Sequence, residues 1–322
     1  MSEVEKKKKI SIGICCYNEE DNISLMYEAV TKEMKQIDNY DYEIIFSDNS
    51  STDSSQSILK EIAEKDEKVK VIINQTNFGA ERSGINCYYN ASGDAYIGLA
   101  CDFQDPPDFI PEFIREWEKG YDIVWGQKIK SKEDPIKYLC RSFFYKIIKV
   151  LSDHPQYEQV TGYGLVDKKV LDILYITQRQ DPEYTMRNLV CEYGFKTKLI
   201  PYTQRARERG KSKYGLYDYF HFAITSLVNT STKPLHILTV VGFAVSVLCI
   251  LVALFYFVYK ITHWDSFDVG MAPMLIGLFM VSGIQMFCIG ILGEYISVIL
   301  RRVTDKPVVV EREKINFSSD ES

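Results

Sequence analysis

Residues Ile237 to Val258 form a run of twenty-two positions without a charged side chain, bounded by Lys233 and Lys260. An α-helix rises about 1.5 Å per residue, so a run of this length covers the ~30 Å hydrocarbon core of a bilayer. A second run, Met274 to Leu292, has Gln285 as its strongest polar interruption and continues through Glu294 to Leu300 before Arg301 and Arg302. Soluble helices rarely need such runs, and the sequence therefore predicts two transmembrane helices. The short link around His263 to Ala272 joins them as a hairpin with both ends on one side of the membrane. Basic residues mark that side: Lys233, the 205–213 cluster, Arg301, Arg302 and Lys306 flank the ends, whereas the link carries only Lys260. The positive-inside rule then predicts a multi-pass protein of an inner or plasma membrane, with residues 1–234 in the cytosol.

The remainder of the 322 residues belongs to a folded domain, since 46% of the chain is hydrophobic and 25% charged. A net charge of −6 argues against a surface that tracks nucleic acid, so no nucleic-acid partner is expected. The first residues, up to the lysine run Lys6 to Lys9, lack the apolar core of a signal peptide. Eight cysteines occur without a Cys-x-x-Cys pair, and only four histidines accompany them. Free thiols are the expected state, rather than a zinc site or a disulfide framework.

Across residues 9–202, β-rich runs alternate with stretches of helical period. Ile10–Cys16, Glu43–Ser47, Val69–Ile73, Ala95–Leu99 and Asp122–Trp125 read as strands, and segments near 21–38, 53–66 and 80–92 as helices. That order predicts an α/β domain with a parallel sheet covered by helices on both faces. Such sheets bind ligands beyond the carboxyl ends of their strands. Those ends carry three polar clusters: Tyr17-Asn18-Glu19-Glu20, Asp48 to Asp53, and Asp102-Phe103-Gln104-Asp105-Pro106-Pro107. The glycine signatures of dinucleotide-binding and P-loop folds do not occur. An oxygen-rich set such as Asp102, Gln104 and Asp105 instead suits Mg²⁺ or Mn²⁺ carrying a nucleotide diphosphate. Each cluster also has a purely structural account. Asp48 to Asp53 could form an Asx turn and helix cap, Asp105-Pro106-Pro107 a turn before a helix, and Tyr17 a packing contact.

Taken together, these stretches resemble glycosyltransferase family 2, specifically its membrane-anchored polyprenyl-phosphate transferases of the dolichyl-phosphate mannose synthase and bactoprenol glucosyltransferase kind. The resemblance extends through Asn77-Phe78-Gly79, Gly162-Tyr163-Gly164-Leu165, Pro201-Tyr202, Arg207-x-x-Gly-x-Ser212-Lys213 and Gly293-Glu294-Tyr295. It implies a GT-A, Rossmann-like domain over residues 1–213, an interfacial amphipathic helix over 214–234, two transmembrane helices over 235–300 and a cytosolic tail over 301–322. It also implies that Tyr17, Glu19 and Asp48 bind the nucleotide sugar and that Asp102 and Gln104 hold the metal. Asp102, Gln104 and Asp105 are the implied catalytic group, and Arg207, Ser212 and Lys213 would clamp acceptor or diphosphate phosphates. A homo-oligomer is implied as well. Two positions depart from the family: Ala100 stands where an Asp-x-Asp motif has its first acid, and Thr161-Gly162-Tyr163-Gly164 replaces Gly-Asp-Phe-Arg.

The expected reaction is inverting transfer of a sugar from a nucleotide-diphosphate sugar, a UDP-hexose, to polyprenyl phosphate for glycan or surface polysaccharide assembly. A non-catalytic membrane scaffold and a transferase with another acceptor are the competing readings. The basic segment Arg205 to Lys213 could instead hug an anionic leaflet, although its place between the last sheet strand and the membrane favours the clamp. Asp181 and Glu183 are further carboxylates near the sugar, or simply acids at a helix start.

Overall fold

The protein alternates strand and helix because its apolar residues alternate in period, and a computed structural model describes residues 7–130, 157, 159–181, 184–204, 233–262, 271–303 and 307–317. The first strand, β1 (Lys9–Cys16), leads to α1 (Ile23–Met34), then β2 (Asp41–Asp48) to α2 (Ser55–Lys65) and β3 (Val69–Asn74) to α3 (Ala80–Tyr89). A fourth strand, β4 (Ala95–Ala100), is followed by a 3₁₀ turn, Pro107–Phe109, which runs into α4 (Ile110–Glu118). After β5 (Ile123–Lys130) come β6 (Val160–Asp167), α5 (Lys168–Gln180), α6 (Met186–Tyr193) and β7 (Thr197–Thr203). Two long helices, α7 (Lys233–Thr262) and α8 (Met271–Val303), precede a last strand, β8 (Glu311–Ile315).

Period-two alternation divides the strand side chains between two cores. On one face Ile10, Ile12 and Ile14 of β1 and Val69, Val71 and Ile73 of β3 meet Ile23, Met26 and Val30 of α1, Leu59 of α2 and Phe113 of α4. On the other, Ile45, Ile72, Ile123 and Trp125 meet Cys87 of α3, Val170 and Leu174 of α5 and Leu189 of α6.

The sheet has eight strands in the order β7-β5-β6-β4-β1-β2-β3-β8. It is mixed rather than parallel, which corrects the expectation from sequence. β6 lies antiparallel between β4 and β5, and β8 pairs antiparallel with β3. Both were missed for the same reason, since neither belongs to a strand–helix–strand repeat. Gly164 lets β6 fit: it has φ of +146°, and an added Cβ would lie 2.1 Å from the Val124 carbonyl oxygen.

Two compact units emerge, one holding residues up to 141, 156–213 and 305–322, the other 142–155 and 214–304. The strand β8 therefore joins the sheet unit, where the sequence suggested a tail. The second unit contains α7 and α8, 30 and 33 residues long. Large apolar side chains along both helices face outward, among them Phe243 at 72% exposure, Phe255 at 64%, Met274 at 78% and Ile296 at 63%. Over runs made only of described residues, no helix is long and apolar enough to cross a membrane. The segment 214–232, expected to be interfacial, lies outside the described residues.

Candidate active site

The sheet's register brings the three polar clusters to one edge. Cys16, the last residue of β1, pairs with Asp48, the last of β2, and Cys15 pairs with Ala100, the last of β4. All three strands are parallel, so the loops they feed emerge side by side. In each of these loops one residue other than glycine takes the left-handed region: Asn18 with φ 56°, Ser50 with φ 62° and Phe103 with φ 57°. Such backbone costs of order 1 kcal/mol or more per residue and concentrates where a loop's shape is functionally required.

The first two loops are interlocked. Asn18 N–H donates to Ser51 Oγ at 2.9 Å, and Thr52 N–H returns a bond to Asn18 Oδ1 at 2.8 Å. Glu19 N–H donates to Ser55 Oγ at 3.0 Å, while Ser54 N–H donates to a Glu20 carboxylate oxygen at 3.0 Å. Asp48 is fully buried, and its Oδ1 accepts from Ser51 N–H at 3.0 Å and Gln56 Nε2 at 2.9 Å. The Asx-turn account of Asp48 is thus correct for one oxygen. Its Oδ2 faces the Cys16 thiol, with sulfur 4.0 Å away. Asn49 ties in the Asn77-Phe78-Gly79 loop, donating to Asn77 Oδ1 at 2.7 Å and accepting from Phe78 N–H at 2.9 Å.

Two buried thiols report how closely the acids converge. Burial raises the Cys16 thiol well above its ordinary range, and Cys101, Asp48, Cys15 and Glu19 push it further in the same direction. Burial likewise raises the Cys101 thiol, with Glu19, Asp102 and Cys15 adding to it. Acids of all three loops thus act on this pair of thiols, and both cysteines are free, as expected from the sequence.

The third loop is braced from beneath by aromatic residues. Asp102 is 7% exposed, and its Oδ1 accepts from Gln104 N–H at 3.2 Å. Tyr202 of β7 donates its hydroxyl to Asp105 Oδ1 at 2.8 Å, and Tyr163 of β6 donates to the Pro106 carbonyl. The two tyrosine rings meet edge-on with centroids 5.0 Å apart. Burial raises the Asp105 carboxyl pKa, offset by the Tyr202 hydrogen bond and by Lys128, and Asp102 raises it further. Gln204, just past β7, donates to Gln104 Oε1 at 3.1 Å. Arg207, Ser212 and Lys213 lie outside the described residues, but the chain enters their segment from a residue bound to Gln104. Asp181 ends α5, Glu183 lies outside the described residues, and α6 starts only at Met186 under a Thr185 cap.

Tyr163, Tyr202, Gln204 and Gln56 are site-supporting residues without a role in the sequence reading. The first two stood in matched stretches, Gln204 beside the basic segment, and Gln56 carried no signal at all. The donor set also bears on a metal. Among the described residues no three His, Cys, Asp or Glu side chains converge to hold an ion by themselves. A hard cation shared with substrate phosphates needs only one or two carboxylates, however, and an amide oxygen has two lone pairs. Asp102 with Gln104, whose oxygen spends one lone pair on Gln204, fits that requirement.

The sequence profile for Glycosyl transferase family 2 matches residues 11–172, and that for the GtrB C-terminal hairpin matches 233–299. The uncharacterized glycosyltransferase YkcC of Bacillus subtilis is 30% identical over 301 residues, 93% of this chain and 92% of its own. A prophage bactoprenol glucosyl transferase homolog of Escherichia coli is 28% identical over 290 residues, 90% and 94% of the two chains. Among solved structures, glucosyl-3-phosphoglycerate synthase from Mycobacterium tuberculosis, in complex with Mn²⁺, UDP and phosphoglyceric acid, superposes with a TM-score of 0.50. It shares 15% identity over 69% of this chain and 78% of that one, a likeness of fold. With half its length under the catalytic profile and its two long helices under the hairpin profile, the chain belongs to glycosyl transferase family 2.

Proposed function

We propose that the protein transfers a hexose from uridine diphosphate to a polyprenyl phosphate at the cytosolic face of an inner or plasma membrane, with inversion at the anomeric carbon. The observation that carries this reading is the alignment of Cys16, Asp48 and Ala100 at one sheet edge, which puts the Tyr17–Glu20, Asp48–Asp53 and Asp102–Asp105 loops together. The relatives named for bactoprenol glucosyl transfer support the acceptor class and the sugar.

Asp48 faces the nucleobase. A carboxylate accepts from the imide N–H of uracil and repels the bare ring nitrogen of cytosine at the same edge. Because Asp48 is fully buried, donor binding has to uncover Oδ2. Tyr17 and Glu19, in the loop after β1, would contact the same nucleotide. Asp102 and Gln104 would hold a divalent ion, which when bound supplies positive charge against the departing diphosphate. Asp105, fixed by Tyr202, keeps that loop in place. Arg207, Ser212 and Lys213 offset the repulsion between two anionic substrates. The acceptor needs no strong base, because a phosphate monoester with a second pKa near 6 is largely dianionic at neutral pH.

The helices α7 and α8 span the membrane in this reading. Their outward-facing apolar side chains and the charge-free runs of the sequence support it. The chain runs into the hairpin from the sheet unit, which ends at residue 213, and returns to it at residue 305, and in this reading both connections lie on the cytosolic side. Incubating the purified full chain with a panel of nucleotide sugars, Mg²⁺ or Mn²⁺ and polyprenyl phosphate tests the function. A hexosyl polyprenyl phosphate, read by mass from the uridine donor, is expected. Turnover confined to a different acceptor, or none with any donor, overturns it.

A further inference from the structure

The last strand reaches Asp48 by way of Arg312 and Gln56. Arg312 of β8 donates from Nη2 to Gln56 Oε1 at 2.6 Å, and Gln56 donates from Nε2 to Asp48 Oδ1 at 2.9 Å and to the Ser51 carbonyl at 3.0 Å. The polarity of this chain is forced. A guanidinium only donates and a carboxylate only accepts, so the amide between them must present its oxygen to Arg312 and its nitrogen to Asp48. The hydrogen bonds from Ser51 and Gln56 both fall on Oδ1, whereas Oδ2 takes only the long contact from the Cys16 thiol, at 4.0 Å, and is the oxygen left for a ligand. The strand itself is firmly seated. Lys60 pairs with Glu313 at 2.6 Å, Asn86 donates to Glu311 at 2.9 Å, and Asn316 donates to the carbonyls of Ala63 and Val69 at 2.7 and 2.9 Å.

From this geometry we infer that Gln56, oriented by Arg312, is a positioning residue that holds the Asp48 carboxylate for the donor base, so that a strand encoded after the hairpin completes the nucleotide site. The inference rests on the reading of Asp48 as the base contact. Without Gln56, Asp48 would keep the Ser51 bond and the long Cys16 contact, and could swing Oδ2 away from the base. Without Arg312, the amide could invert and set an oxygen against the carboxylate.

Isothermal titration of the full-length protein in detergent with UDP and Mg²⁺ tests this, using Asp48→Asn, Gln56→Glu and Arg312→Ala. Gln56→Glu is the discriminating variant, since the new carboxylate pairs better with Arg312 yet repels Asp48. A role confined to anchoring β8 would leave UDP binding intact in that variant. Positioning instead weakens it at least tenfold, about 1.4 kcal/mol, with the melting temperature unchanged and the KM for polyprenyl phosphate unmoved. Arg312→Ala should weaken UDP about threefold. Normal UDP affinity in Gln56→Glu alongside a loss in Asp48→Asn overturns the positioning role and spares the assignment of Asp48. Normal affinity in Asp48→Asn overturns both.

Discussion

Individual side chains at the strand ends divide into those that meet substrate and those that hold them. Under the proposed function Asp102 is of the first kind, and its removal would strike at charge that develops only as the diphosphate departs. Asp102→Ala is therefore expected to lose at least a hundredfold in kcat, roughly 3 kcal/mol of transition-state stabilisation. Steady-state assays at saturating Mg²⁺ decide it, and turnover within threefold of the parent would remove Asp102 from the mechanism. Tyr163 and Tyr202 are of the second kind, and Gly126 makes room for their rings. An added Cβ there would lie 2.6 Å from the Tyr163 ring and 3.0 Å from that of Tyr202, the two tyrosines that brace the Asp105-Pro106 loop. Gly126→Ala is expected to destabilise by about 1–3 kcal/mol through overpacking and to lower kcat as well, read by melting and kinetics together. The acids were legible in the chain because they sit in short runs after apolar strands. Their supports were not, since Tyr163 and Tyr202 are aromatic residues in strands and look like ordinary core until a hydroxyl finds a partner.

At the scale of elements, the first strands are stapled by a buried charge. Glu43 of β2 is 2% exposed and takes Lys9 at 2.7 Å and Lys70 at 3.2 Å. Its carboxylate also accepts from Ser92 N–H at 2.8 Å. Burial alone would raise its pKa, but hydrogen bonds from Lys9, Ser11 and Ser92 outweigh it and bring the value from 4.5 down to about 2. A depressed carboxylate contributes stability that is complete above its unfolded pKa and lost as pH falls toward the folded one. Stability should therefore drop between pH 4.5 and about 2, by up to roughly 3 kcal/mol from this residue alone. In Glu43→Gln that part of the acid dependence should vanish from melting curves, and an unchanged slope would refute the assignment. Strands β1 to β4 were readable from their alternation and repeat. The reversed strands were not: neither belongs to a strand–helix–strand repeat, and β8 reads Glu-Arg-Glu-Lys-Ile, four charges seated beside β3 by partners such as Lys60 of α2 rather than by apolar pattern.

For the whole molecule, the placement of the hairpin's two ends makes topology testable. A cysteine replacing Ser266 should react with an impermeant thiol reagent from outside intact cells, and one replacing Ser318 only after the membrane is opened. The reverse pattern would invert the proposed orientation. Charge-free length marked the two long helices at once in the sequence, whereas the return of the chain to the sheet left no mark there, because pairing between residues some 240 apart, Val71 with Ile315, has no local signature. That return also sets an order of events during synthesis. When Gln204 has left the ribosome, β3 still has an open edge, and β8 lies roughly a hundred residues away, on the order of ten seconds at ordinary elongation rates. An unpaired strand edge is a template for wrong partners. The newborn domain is thus exposed to mispairing for as long as α7 and α8 are being made, and the sheet closes only once both helices have been translated.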